Sequence, residues 1–151
     1  YKNIDFNFFF QGTADAHRVI GNSTIFLPGS GTTVQGNAYS ENLDDRWTDD
    51  NQDPYAFWPR LTYGPNKNNY RASTWWKKDM SFLRLKTVEI GYTFPKKWME
   101  KIYSKGARVF VSGNNLLCFS PFKLWDPELN TDNGASYPNT TSYSVGINFT
   151  F

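Results

Sequence analysis

Few residues of this chain combine the types and spacing that catalysis requires. His17 is the only histidine and Cys118 is the only cysteine, so a zinc site of the usual Cys/His kind and a Ser-His-Asp triad both lack their parts. Asp126 and Glu128 could serve as an acid–base pair, but Pro127 lies between them and favours a structural role in a loop. No other pair of carboxylates suggests a glycosidase. We therefore expect no enzymatic activity and no cofactor.

One acidic segment carries ligands of the kind that calcium prefers. Carboxylate oxygens are hard ligands for Ca²⁺, and the segment supplies them from Asp44, Asp45, Asp49, Asp50 and Asp53. Its spacing lacks the glycine and the terminal glutamate of an EF-hand loop. A solvated acidic loop is therefore the preferred interpretation, with calcium binding as a weak alternative and no other metal expected.

Aromatic side chains are the other group that could recognise a ligand, by stacking on its rings. Phe, Tyr and Trp make up 19% of the chain, although its mean hydropathy is only -0.61, so aromatic and polar residues must alternate or segregate. The candidates for contact with a substrate or with a covering partner protein are Trp47, Tyr55, Trp58, Tyr70 and Trp125. The alternative is that such side chains form the small cores of long loops, or an aromatic girdle at a membrane surface.

The elements that must position these residues are β-strands. Alternation of apolar and polar residues with period two predicts strands at about residues 1–12, 81–94, 107–119 and 142–151. Between them lie two long connections, residues 13–80 and 120–141, and a short turn, residues 95–106. Within the first long connection, a short helix is predicted near residues 39–47.

Two details of the strand pattern are ambiguous. Leu83 and Leu85 have the opposite parity to the rest of their strand, which indicates either a β-bulge near Lys86 or a strand end that leaves the sheet surface and packs on the loops. In the third strand Val109 and Val111 compete with other apolar residues for one face, and we favour an outward position for these two valines.

The alternation favours a membrane barrel over a soluble sandwich. Strands that cross a bilayer need about 10 residues with every second side chain apolar. The side chains that meet this condition, and that we expect to face lipid, are Ile4, Phe6, Phe8, Phe10, Val88, Ile90, Tyr92, Tyr143, Val145 and Ile147. Long and short connections also alternate, as extracellular loops and periplasmic turns do in outer-membrane barrels. The predicted fold is therefore an all-β, antiparallel transmembrane β-barrel segment.

The last strand carries a further signal. It contains Gly146, Phe149 and Phe151 within a strict alternation, and this pattern resembles the C-terminal signal that the assembly machinery of outer-membrane proteins reads. In a soluble sandwich the same strand would present an exposed aromatic edge that invites aggregation. We therefore expect these three residues to act as an outer-membrane assembly signal.

Longer motifs support a family resemblance. Residues 69–76 read NYRASTWW and residues 79–95 read DMSFLRLKTVEIGYTFP, followed by RVFVSGNNLL at residues 108–117 and WDPE at residues 125–128. In this order and spacing they resemble the TonB-dependent outer-membrane transporters of the SusC/RagA type. The resemblance covers residues 69–151 well and the earlier part of the chain only loosely.

The resemblance implies a fold and a function for the whole protein. The chain would form the last strands of a barrel of about 22 strands, with the N-terminal plug domain absent and the two long loops extracellular. The barrel would import glycans or peptides across the outer membrane of a Gram-negative bacterium. Its implied partners are the remaining strands and the plug, a SusD-like surface lipoprotein, TonB through the absent N-terminal part, the substrate and membrane lipid.

The predicted strands cannot form a complete barrel alone. A few strands cannot close a barrel, and open edges in a bilayer would leave unpaired backbone groups, so the neighbouring strands must come from elsewhere.

The net charge of +2 gives no reason to expect a nucleic acid partner. The alternative function is that of a secreted β-sandwich that binds carbohydrate, which the exposed aromatic residues would also suit.

Overall fold

A computed structural model describes residues 2–20, 40–62, 66–69 and 71–151. The chain divides into two compact units. The first, which we call the sheet unit, comprises Tyr1–Ala16, Asp79–Leu129 and Tyr137–Phe151. The second, which we call the loop unit, comprises His17–Lys78 and Asn130–Ser136.

Strands dominate the described residues. They are β1 (Ile4–Thr13), β2 (His17–Val19), β3 (Lys77–Asp79), β4 (Phe82–Thr93), β5 (Gly106–Phe119) and β6 (Ser142–Thr150). The helices are single turns: α1 (Glu41–Asp44), a 3₁₀ turn (Thr74–Trp76), and α2 (Lys96–Met99) followed by a second 3₁₀ turn (Glu100–Ile102). The region 13–80, predicted as one loop, thus contains two short strands, and the helix predicted near 39–47 is only one turn long. None of the described helices is long and apolar enough to cross a membrane.

The sheet unit is built on four antiparallel strands in the order β1-β4-β5-β6. Phe6 lies opposite Ile90, Ile90 opposite Val111, and Val111 opposite Val145. Because directly opposed residues of an antiparallel sheet project from the same face, these four side chains form an apolar row across all four strands. Val109 lies between Tyr92 and Ile147 in the same way, so both valines of β5 belong to the apolar face.

The opposite face of the sheet is polar. Asn7 lies opposite Glu89, Glu89 opposite Ser112, and Ser112 opposite Ser144. This row is one residue out of step with the apolar row, as the two-residue period of a strand requires. The sheet therefore has one apolar and one polar surface along its whole width.

A β-bulge explains the parity of the two leucines in β4. Phe9 lies opposite Thr87 and Phe10 opposite Leu85, so Lys86 is an extra residue on β4. An extra residue shifts the alternation by one position, which brings Leu85 onto the same face as Phe10. Of the two explanations that the sequence left open, the structure shows the bulge.

The apolar face of the sheet stays largely exposed among the residues that the structure describes. Phe6 exposes 59% of its surface and Val145 exposes 75%. The buried apolar side chains of the sheet unit lie instead near the strand ends and in the connections; they are Met80, Met99, Ala107 and Phe122. The sheet is thus held by its backbone ladder and cross-strand pairs rather than by a central core.

The loop unit has a small core of its own. Trp58 and Trp76 expose only 2% and 3% of their surfaces, and their rings meet edge to face with centroids 6.2 Å apart. The segment that carries Trp58 is anchored at both polar groups of its backbone: the Trp58 N–H donates to the Asp45 carbonyl, and the Trp47 N–H donates to the Trp58 carbonyl, each at 2.9 Å. β2 and β3 pair to form a second, two-stranded sheet.

Candidate functional site

The residues expected to face lipid are brought together on one surface. Each of the ten lies on the apolar face of the four-stranded sheet, either directly opposite another member or in step with one along its strand. Along β1 the rings of Phe6, Phe8 and Phe10 form a ladder, with successive centroids 5.6 and 5.9 Å apart. The structure thus gives a continuous apolar surface, whose contact with lipid remains a prediction.

The three residues of the expected assembly signal do not share a surface. Phe149 lies opposite Ala107 on the apolar face, and its ring stacks on that of Phe151 at 6.3 Å. Gly146 lies opposite Phe110 on the polar face, and a Cβ added to Gly146 would collide with the Phe110 ring. Gly146 therefore has a packing role that the motif alone did not reveal, because it leaves room for an aromatic ring.

A charged cluster crosses the polar face. Arg108 of β5 donates to the carboxylate of Asp5 on β1 and, at 2.6 Å, to Glu89 on β4. Its guanidinium passes over Gly91, where any Cβ would collide with it. This residue set was not predicted as a unit, although the glycine in the middle of a strand was a signal that a side chain crosses there.

A second, more buried cluster joins β4 to the connection that follows β5. Arg84 is 4% exposed; its Nη2 lies 2.5 Å from Asp126 Oδ1 and its Nε lies 2.5 Å from Glu128 Oε2. Lys86 adds a contact of 2.9 Å to Glu128. Asp126 also accepts the backbone N–H of Glu128 at 3.0 Å. Both carboxylates are thus engaged in holding the chain, which supports the structural interpretation and not the acid–base one.

A cavity lies in the loop unit. Its volume is about 630 Å³, and it is lined by Trp47, Pro59, Arg60, Asn68, Asn69, Arg71, Ala72, Ser73, Trp75 and Trp76. The 3₁₀ turn Thr74–Trp76 supplies two of the three tryptophans. This cavity combines aromatic surface with two guanidinium groups, and no lining residue is acidic.

The predicted aromatic contacts have different environments. Trp47 lines the cavity, whereas Tyr55 is 91% exposed on the surface and takes no part in it. Trp58 is buried in the core of the loop unit, which agrees with the alternative that such side chains form the small cores of long loops. Trp125 belongs to the sheet unit and packs edge to face on Phe122 at 4.7 Å. Tyr70 lies outside the described residues.

Two carboxylates of the acidic segment have partners within the loop unit. Asp49 Oδ2 lies 2.9 Å from a guanidinium nitrogen of Arg60, and Asp53 Oδ1 accepts the backbone N–H of Tyr55 at 2.8 Å. Across the part of the chain that the structure describes, no group of His, Cys, Asp or Glu residues could hold a metal ion. Two of the five candidate carboxylates, those of Asp49 and Asp53, thus serve local folding, and calcium binding at Asp44, Asp45, Asp49, Asp50 and Asp53 stays a weak alternative.

One lysine of the loop unit has an unusual environment. Lys78 Nζ donates to the Phe57 carbonyl at 3.1 Å and lies 3.9 Å from the centroid of the Phe57 ring. Burial lowers the pKa of the Lys78 ammonium, and the negative charge of Asp45 opposes that shift. The contacts are those of a lysine that helps to pack the loop unit.

Comparison with known proteins places these features in a larger molecule. No protein-family model matches the chain. The chain is 33% identical over 165 residues to TonB-dependent receptor P26 of Formosa agariphila, and the match covers all of this chain and 16% of that receptor. TonB-dependent receptor SusC of Bacteroides thetaiotaomicron is 24% identical over 153 residues, with 14% of its length covered. The chain thus spans only a small part of the curated relatives it matches.

Solved structures also match the whole chain to a small part of a larger protein. The structure of the RagAB peptide importer in its open-open state superposes with a TM-score of 0.75 and 29% identity, covering all of this chain and 16% of the matched chain. The closed-closed state of the importer gives a TM-score of 0.73 and 26% identity.

The two-faced antiparallel sheet and its whole-length match to part of larger transport proteins define the chain as a segment of an outer-membrane β-barrel. More narrowly, the whole chain is similar to one section of TonB-dependent receptors, SusC of Bacteroides thetaiotaomicron among them, and to one section of the RagAB peptide importer. The family resemblance drawn from the sequence motifs is confirmed.

Proposed function

We propose that the protein containing this chain imports glycans or peptides across the outer membrane in a TonB-dependent manner. In this proposal the four-stranded sheet is one section of the wall of a barrel of about 22 strands, and its connections 13–80 and 120–141 are extracellular loops. The observation that carries the proposal is the apolar face, which runs across all four strands and stays exposed.

An exposed apolar surface of this size requires an apolar surrounding. Soluble monomers rarely leave a continuous apolar patch larger than a few hundred Å² in contact with water. A bilayer satisfies such a face, while the polar face turns towards the barrel interior. The secreted β-sandwich alternative would need a second sheet packed on the apolar side, and the described residues leave that side uncovered.

The edges of the sheet support a larger barrel. β1 and β6 each pair on one side only among the described strands. In lipid, every unpaired backbone group costs several kcal/mol, so both edge strands need further strands as neighbours. The remaining strands of the same receptor are the partners we propose for both edges.

The connections support the orientation. Outer-membrane barrels have short periplasmic turns and long extracellular loops. The connection between β4 and β5 consists of two helical turns within residues 94–105, whereas β1 and β4 are separated by the whole of residues 14–81. We therefore assign the β4–β5 turn to the periplasmic side and the loop unit to the cell surface.

The proposed partners outside the membrane follow from the relatives. RagAB is described as a peptide importer, and SusC is a further relative with whole-chain coverage. We propose a SusD-like surface lipoprotein as the partner of the extracellular loops, TonB as the partner of the plug domain, and a glycan or peptide as the cargo.

Uptake in cells tests the import function. The gene for the full-length receptor would be deleted, and uptake of labelled oligosaccharides and oligopeptides would be compared in the parent, the deletion strain and the complemented strain. We expect one of the two cargo classes to lose receptor-dependent uptake on deletion, and the same uptake to disappear when TonB is removed. The proposal would be contradicted if uptake of both cargo classes persisted in the receptor-deletion strain and in the strain without TonB.

A further inference from the structure

We propose that the cavity of the loop unit binds a carboxylate group that stands beside a ring or other flat apolar surface of the ligand. The proposal rests on the import function proposed above and deepens it by naming the chemistry that this surface segment recognises. Such a ligand could be an oligosaccharide that contains uronic acid or a peptide that contains an acidic residue.

The size and composition of the cavity suit a small polar ligand. Its volume of about 630 Å³ lies within the range of about 300–1,000 Å³ that is typical of ligand pockets. The lining contains three tryptophans and two arginines and no acidic side chain. A cavity with cationic and aromatic walls attracts an anionic group and offers it a flat surface nearby.

The walls of the cavity are held before any ligand arrives. Asn69 Nδ2 donates to the Arg60 carbonyl at 2.9 Å, and Trp76 Nε1 donates to the Asn69 carbonyl at 2.8 Å. Trp76 also packs on Trp58 in the buried core. Because these contacts fix the wall in advance, little conformational entropy has to be lost on binding.

The two arginines of the cavity have different partners. Arg60 pairs with Asp49 at 2.9 Å, and its guanidinium carbon lies 6.0 Å from the centroid of the Trp47 ring. Arg71 is exposed and forms no ion pair with any residue that the structure describes. Among the described residues the Arg71 guanidinium thus has no carboxylate partner, and a guanidinium can hold a carboxylate by two parallel hydrogen bonds.

The remaining lining residues supply the neutral part of the site. Trp47 and Trp75 are half-buried and line the cavity, and we expect their indole rings to offer the flat surface for stacking. Asn68 and Ser73 are exposed and add a carboxamide and a hydroxyl group. These groups can hydrogen-bond to sugar hydroxyls or to peptide amides, which is why the shared recognition element is the carboxylate and not one class of cargo.

Calorimetric titration of the purified full-length receptor in detergent tests the site. The probes are trigalacturonic acid with neutral galactotriose as its counterpart, and a glutamate-containing tetrapeptide with its glutamine counterpart. We expect at least one acidic probe to bind about 10-fold more tightly than its neutral counterpart, a difference of roughly 1.4 kcal/mol. In Arg71→Gln this preference should be lost, whereas Arg71→Lys should retain part of it.

Controls separate the cavity from general effects of charge and folding. Arg18→Gln removes another arginine of the loop unit, one that hydrogen-bonds to Asn130 and does not line the cavity, and it should leave binding unchanged. Ala72→Trp keeps both arginines but fills the cavity. It should weaken the binding of the acidic probe as strongly as Arg71→Gln does. Folding of each variant is checked by the heat-dependent shift of the barrel on a denaturing gel.

The outcomes distinguish the cavity from the import function. If neither acidic probe binds better than its neutral counterpart, or if Arg71→Gln and Ala72→Trp both keep the preference, the cavity proposal is wrong. Receptor-dependent uptake would then still be measurable in cells. If uptake of every cargo is independent of the receptor, the import function fails, while the calorimetric preference still decides whether the cavity binds a carboxylate.

Discussion

The sheet unit and the loop unit handle apolar side chains in opposite ways. In the sheet unit Phe6 and Val145 expose 59% and 75% of their surfaces, whereas in the loop unit Trp58 and Trp76 expose 2% and 3%. A folded chain leaves a large apolar face open only where something other than water covers it. The loop unit builds a small core of its own, whereas the four-stranded sheet leaves its apolar face exposed among the described residues.

Charged side chains show the reverse contrast. The sheet unit contains the ion cluster of Arg84, with side chains of Arg84, Asp126 and Glu128 that are 5%, 13% and 15% exposed. The loop unit has the pair Arg60–Asp49, with side chains that are 59% and 65% exposed. The same chemistry therefore has a large effect in one unit and a small effect in the other, because burial removes the water that would otherwise solvate an unpaired charge.

The largest expected effect is that of breaking the buried cluster. Arg84→Met would leave two carboxylates buried without their main cation, and removing one partner of a buried ion pair costs about 3–5 kcal/mol. We expect faster hydrogen exchange at the amides of Glu128 and Leu129, whose N–H groups donate to Asp126. Hydrogen exchange of the full-length receptor with mass spectrometry measures this local opening.

A companion variant shows whether charge burial is the cause. If Arg84→Met is combined with Asp126→Leu, Glu128→Leu and Lys86→Met, which also removes the cation that pairs with Glu128, no charge of the cluster is left without a partner, and much of the lost stability should return. Unchanged exchange in the single variant would mean that the cluster does not hold the 120–129 segment.

The next effect tests the apolar face directly. Val145 and Ser144 are neighbours on β6 whose side chains lie on the apolar and polar faces. A charged side chain on the lipid face of a barrel costs about 2–4 kcal/mol near the middle of the bilayer. Val145→Arg should therefore destabilise the receptor by that amount in a urea titration in lipid vesicles, and Ser144→Arg should have little effect.

Ser144→Arg is the matched control for Val145→Arg. Both variants add the same group one residue apart, so effects on synthesis and net charge cancel. Equal destabilisation by the two variants, or a larger effect of Ser144→Arg, would contradict the assignment of the apolar face to lipid.

The sequence was sufficient for the regular part of the molecule. Strand alternation depends on residues two positions apart, so Phe6, Phe8 and Phe10 revealed a face without any knowledge of distant contacts. The parity of β5 was harder to predict because Phe110 competes with Val109 and Val111. The structure resolves it: Phe110 lies on the polar face because Gly146 of the neighbouring strand leaves room for its ring.

The candidate site was much less predictable, since its contacts join residues that are far apart in sequence. Trp58 and Trp47 look equivalent in the sequence, yet contact with Trp76 buries the first in the core and only the second lines the cavity. Arg84 and its partner Asp126 are separated by 42 residues. In the sequence Arg71 stands out only as part of a family motif, and no sequence pattern shows which ion pairs its side chain forms.

A third prediction concerns local packing in the sheet unit. A Cβ at Gly146 would collide with the ring of Phe110, and overpacking of this kind costs about 1–3 kcal/mol. Gly146→Ala should lower the free energy of unfolding by that amount, and the loss should largely vanish in a Phe110→Ala background. The four urea titrations form a double-mutant cycle.

The cycle also separates two roles of Gly146. If the assembly machinery reads this glycine as part of a signal, Gly146→Ala should reduce the amount of receptor in the outer membrane even when Phe110 is removed. If packing is the only role, the double variant should assemble normally. The absence of any coupling between the two positions would exclude the packing role.

The smallest expected effect is that of the exposed ion pair in the loop unit. Arg60→Gln removes the partner of Asp49, but both side chains are more than half exposed, and exposed pairs contribute about 0.2–1 kcal/mol. Local hydrogen exchange at the Trp47 and Trp58 amides, which donate to the Trp58 and Asp45 carbonyls, should therefore change little, and the change should shrink further in high salt because screening already weakens the pair. An effect as large as that of Arg84→Met would show that the Arg60–Asp49 pair is less solvated than its exposed surface indicates. The two units would then not differ in how much their ion pairs contribute to stability.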